Sequence, residues 1–162
     1  MNFLRMRRSR DWPHVDEVVL LADAISEMRQ SAQEALPSEI GGILIGWRIE
    51  RSIRVTTACT LGLGSGSGHS YVRPYDEAAA FVKALRDDAG TDNPLGYVGE
   101  WHSHPASCGA SQRDKLSLVG LSAHLKEPIA LVVLMNEGNS WIPQGMTCSH
   151  KRFNTVRILE ET

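Results

Sequence analysis

Apolar positions three and four apart alternate along this chain with short, nearly continuous apolar runs, and the changes of period mark its elements. Ile25, Met28, Ala32 and Leu36 recur at helical spacing, which predicts a helix over residues 22–35 that stops before Pro37. Residues 43–49 and 53–61 are rich in β-branched side chains and flank a polar turn around Arg51, the pattern of two joined strands. Ala78, Phe81, Val82 and Leu85 form the stripe of a second helix, opened by Pro74 and ended near Gly90. A short strand is expected over 96–102 and a third helix over 112–125, terminated before Pro128. Residues 129–135 read as a buried strand, and weaker strands are expected near Trp141 and Val156. Helices interspersed with strands on short turns predict an α/β or α+β domain around one mixed sheet.

Composition narrows the classes of function. At 162 residues the chain is about one domain in length. Seventeen Lys and Arg against 19 Asp and Glu give a net charge of −2, so no general attraction to nucleic acid or anionic lipid is expected. The run at 129–135 is far too short to span a bilayer. Cys59, Cys108 and Cys148 are odd in number and form no C-x-x-C pair, which favours a reducing, cytoplasmic setting over a disulfide framework. Arg5, Arg7, Arg8 and Arg10 make residues 1–14 a basic lead-in, and Asp11, Asp16 and Glu17 interrupt any signal-like apolar core. Residues 62–68, G-L-G-S-G-S-G, follow a strand and precede a helix. They fail the G-x-G-x-x-G register in every frame and lack a Walker lysine, so a mobile connection is the reading, in a position that also allows a flap facing the substrate.

The chemistry concentrates in Gly99-Glu100-Trp101-His102-Ser103-His104-Pro105, followed by Ser111-Gln112-Arg113-Asp114. Strand residues two apart share a face, so His102 and His104 can present both imidazoles to one ion. Asp114 falls in the first turn of the third helix, and a turn through Pro105 and Gly109 can return its carboxylate to the histidines. Two His and one Asp leave a fourth tetrahedral position open, the arrangement of a catalytic zinc site; magnesium and calcium prefer all-oxygen shells. Ser111-x-x-Asp114 also reads as a capping box, a role compatible with metal binding. A proton carrier is needed as well. Glu100 shares strand parity with both histidines, while Glu39 stands in Pro37-Ser-Glu39-Ile-Gly41-Gly42 directly before a strand. Spacing leaves both open. No H-E-x-x-H of a zincin occurs, nor the C-x-x-C of a zinc deaminase. His14, His69, His124 and His150 have no motif around them.

Pro37-x-Glu39-x-Gly41-Gly42-x-Leu44-x-Gly46, then Gly99-x-Trp101-His102-Ser103-His104-Pro105, then Ser111-x-x-Asp114 resembles the JAMM motif of JAB/MPN metalloproteases, in the wording of compact prokaryotic members. The resemblance implies a single JAB/MPN domain over 15–162, a curved mixed sheet flanked by helices. It implies one zinc ion held by His102, His104 and Asp114, with Glu39 as general acid/base and Ser111 steadying the tetrahedral intermediate. Glu100 then either supports a metal ligand from behind or faces the substrate, and Cys108, in the shortened loop, is expected as a packed thiol rather than a ligand; these two are the candidates for substrate contact. The implied activity is cleavage after the C-terminal glycine of ubiquitin or a ubiquitin-like protein. Processing of a ubiquitin-like or sulfur-carrier precursor is the enzymatic alternative, and a non-catalytic MPN scaffold is the other class. The implied partners are a ubiquitin-like protein or its conjugate, ubiquitin-activating and conjugating-like enzymes, and a nucleotidyltransferase of an antiphage operon. One departure stands out: six residues separate His104 from Ser111, where the family pattern has seven.

Overall fold

The structure, a computed structural model, describes residues 14–62, 71–90 and 93–162. Residues 1–13 of the basic lead-in and residues 63–68 of the glycine-rich stretch lie outside the described residues. The elements run β1 (Glu17–Leu21), α1 (Ala22–Ala35), β2 (Gly41–Ile49), β3 (Ser52–Leu61), α2 (Tyr75–Ala89), β4 (Gly96–His104), α3 (Gln112–Leu125), β5 (Ile129–Asn136), β6 (Trp141–Ser149) and β7 (Arg152–Glu161). The α/β class and the mixed sheet are as the pattern predicts. β4 extends two residues beyond expectation, and Pro105 follows it. β1 is an element the periodicity does not reveal, because its last residue is also the N-cap of α1 and no turn separates them.

The strands are ordered β1-β3-β2-β4-β5-β6-β7, and β1 closes the sheet into a barrel by pairing in parallel with both β3 and β7. β4 lies inside the sheet, antiparallel to β2 and parallel to β5. Its two faces have opposite fates. Trp101 and Val98 join the core formed with Ala24, Ile25, Met28 and Ala32 of α1, together with Leu44, Val132 and Leu134. On the outer face, α2 sets Ala78 against Ile43 and Ile45 of β2, and α3 sets Leu118 against Ile129, Leu131 and Val133 of β5. β4 is the strand between β2 and β5, so its outer face fronts the space between the two outer helices. Period-two alternation sends Glu100, His102 and His104 to that face.

Candidate metal centre

His102 and His104 are buried, at 8% and 6% exposure, in a cavity of about 850 Å³ that Glu39, Glu100, Ser111 and Asp114 also line. The Nε2 atoms of the two histidines stand 3.0 Å apart. Asp114 Oδ1 is 3.6 Å from His102 Nε2, and its Oδ2 is 3.9 Å from His104 Nε2. These three residues gather their donor atoms within 4.8 Å of one another. Tetrahedral nitrogen and oxygen ligands about 2.0–2.1 Å from a zinc ion are themselves roughly 3.3 Å apart, so the observed spacings suit one such ion. Donor chemistry agrees with donor spacing, and the cluster can hold a metal.

Each donor is oriented by its own element. The His104 Nδ1–H donates to the carbonyl oxygen of Cys108 at 2.7 Å. A carbonyl only accepts, so this bond fixes the tautomer and leaves the Nε2 lone pair directed at the cluster. Asp114 is placed by a capping box at the start of α3. Its backbone N–H donates to Ser111 Oγ at 3.2 Å, and its Oδ2 accepts from the Ser111 N–H at 2.6 Å. Burial pushes the Asp114 carboxyl up, but the facing His102 imidazole and the hydrogen bond from Ser111 outweigh burial and hold it well below the usual carboxylate range. It is ionised, as a ligand must be. The loop one residue shorter than the family pattern therefore still delivers Asp114 and Ser111 to the histidines.

The structure separates the two glutamates that strand parity could not. Glu39 Oε1 lies 4.0 Å from His104 Nε2. The backbone just after it is pinned by Ser103, the residue between the histidines: Ile40 N–H donates to Ser103 Oγ at 3.1 Å, and Ser103 N–H donates to the Ile40 carbonyl at 2.7 Å. Glu100 reaches the same cavity, but its carboxylate is paired with Arg73 and accepts from the Tyr97 hydroxyl at 3.0 Å. Burial pushes the Tyr97 phenol up to about 12, which keeps it a donor. Cys108 corrects the expectation of a packed thiol. The residue is exposed, its Sγ stands 3.5 Å from His104 Nδ1, and its backbone carbonyl does the positioning. Sequence reasoning missed Ser103 and Arg73. The serine sat in plain view between two histidines, whereas nothing in the sequence around Arg73 ties it to Glu100.

A closed mixed barrel carrying a His-His-Asp cluster in the lining of a solvent-connected cavity defines an α/β domain that can hold one metal ion with room for a further ligand. Residues 21–141 match the family of prokaryotic homologs of the JAB domain, and the chain belongs to it. The fold is shared with the solution structure of protein DSY2949 from Desulfitobacterium hafniense, at a TM-score of 0.69 and 20% identity, covering 89% of this chain and 92% of that one. No curated protein matches the chain. Membership of the family supports a peptidase or a scaffold role. No helix among the described residues is long and apolar enough to cross a membrane.

Proposed function

We propose that this domain is a zinc-dependent isopeptidase that releases a ubiquitin-like protein from its conjugates by cutting after the C-terminal glycine. The observation that carries the reading is the convergence of His102, His104 and Asp114 beside a fourth group, Glu39, that the cluster does not use. A zinc ion held there would polarise the scissile carbonyl and acidify attacking water. Glu39, 4.0 Å from His104, takes the proton of that water and returns it to the departing amine. Ser111 Oγ accepts from the Asp114 N–H, so its own O–H remains to donate to the developing oxyanion. The burial of both imidazoles favours a scissile bond flanked by small residues, and a chain ending in glycine brings its carbonyl in with the least bulk.

The test pairs metal analysis with cleavage. One zinc per purified chain, together with hydrolysis of a lysine-linked ubiquitin-like conjugate, is expected. Cleavage of a linear precursor with the conjugate left intact would assign the domain to precursor processing. Zinc far below one per chain with neither substrate cut would assign it to scaffolding.

A further inference from the structure

The geometry points to Arg73 as a positioning residue that keeps Glu100 away from the metal ion, preserving the open ligand position that hydrolysis needs. The inference rests on the proposed zinc site and concerns residues that site does not use.

Glu100, His102 and His104 occupy successive outward positions of β4, the spacing at which strand residues share one ligand. Glu100 also lines the same cavity as the two histidines. A flexible carboxylate one pleat from His102 is a ready fourth protein ligand for a dication, and four protein ligands make a closed, structural site. Yet Glu100 is absent from the cluster of converging donors. Its Oε1 is taken by Arg73 Nη1 and the Tyr97 hydroxyl instead, and Arg73 Nη1 stands 3.5 Å from that same hydroxyl. The Arg73 and Glu100 side chains are only 18% and 16% exposed, and Arg73 Nε is buried without a hydrogen-bond partner. A pair so placed is a poor source of stability, since an apolar pair of similar volume commonly does as well or better. What the ion pair does achieve is positional: it draws the Glu100 carboxylate toward the start of α2, to which Arg73 is joined through Pro74. Without the guanidinium, this half-buried carboxylate would keep the neutral Tyr97 phenol as its hydrogen-bond partner among the described residues.

Replacement of zinc by cobalt reads this directly, because the visible absorption of Co²⁺ reports ligand number and geometry. Arg73→Met is expected to change the cobalt spectrum, to raise metal affinity in chelator competition by at least about tenfold, and to lose conjugate cleavage. Arg73→Met combined with Glu100→Gln is expected to return the spectrum and affinity to those of Glu100→Gln alone, a non-additivity that a merely structural arginine would not produce. If Arg73→Met fails to fold, Arg73→Gln removes the same charge and carries the same expectation. A spectrum and affinity identical to wild type in the Arg73 variant would overturn the inference while leaving the metal site intact. A wild-type chain that takes up no cobalt would instead overturn the reading of the site on which the inference rests.

Discussion

Asp114 holds two positions at once, and its substitutions should separate them. Its Oδ2 accepts from the Ser111 N–H to cap α3, while Oδ1 faces His102. Asp114→Asn keeps an acceptor for the cap but loses the charged donor, so metal affinity should fall by orders of magnitude with little change in melting temperature. Asp114→Ala should lose metal as well and also cost about 1 kcal/mol of helix-start stability. Metal titration and thermal melts of the two variants side by side check this; unchanged metal affinity in both would remove Asp114 from the ligand set. Glu39 should show the converse behaviour. Glu39→Ala is expected to retain zinc and fold while losing about 10²–10⁴-fold in single-turnover cleavage, the usual worth of a positioned acid/base. If cleavage survives in Glu39→Ala, proton transfer belongs elsewhere. At this scale the gathering of His102, His104 and Asp114 into one cluster was legible from spacing alone, since two residues along a strand and a helix-start carboxylate are local patterns. The different surroundings of Glu39 and Glu100 were not, because they depend on Ser103 and Arg73, whose contacts cross between elements.

Elements place these residues through close packing of β2 on β4, and Gly41 is a point of very tight approach. A Cβ there would sit 2.4 Å from the Trp101 carbonyl oxygen and 2.8 Å from His102 Cβ. Backbone cannot rotate away as a side chain can, so Gly41→Ala must push β2 from β4 at the residue where β2 begins, just beyond Glu39. The expected cost is about 1–3 kcal/mol, as for other overpacked sites, with zinc retained and cleavage reduced because Glu39 moves relative to His104. Calorimetry together with zinc content tests it; a Gly41→Ala variant as active and stable as wild type would mean that the close approach carries no function. The limits of α1 and α3 coincide with the apolar periodicity and its terminating signals, so they were legible. β1 was not. Val18, Val19 and Leu20 are buried by parallel pairing to β3 and β7, strands that lie far along the chain, and no local turn marks where the strand gives way to α1.

Closure of the barrel bears on how the whole molecule should respond to losing its metal. The sequence indicated a mixed sheet but not that it closes, since closure depends on the register of β1 between two strands distant in sequence. Among the described residues, the three apolar clusters, under α1, α2 and α3, are each composed of hydrophobic side chains and include none of His102, His104 or Asp114. The fold therefore has a core independent of the metal, unlike a small domain whose metal is its core. The ion would nevertheless join β4 to the start of α3 in the native state alone, and any ligand that binds only the native state stabilises it. At free zinc about 1,000 times its dissociation constant, that contribution is about 4 kcal/mol. For a chain of this size it corresponds to a rise of roughly 8–16 °C in melting temperature. Chelator should lower the melting temperature of the zinc-loaded protein by an amount of this order while leaving it folded at room temperature, and should leave His102→Ala unmoved. Equal shifts in the two proteins would place the stabilising metal elsewhere. Unfolding at room temperature on chelation would make the ion a structural one and undercut its catalytic assignment.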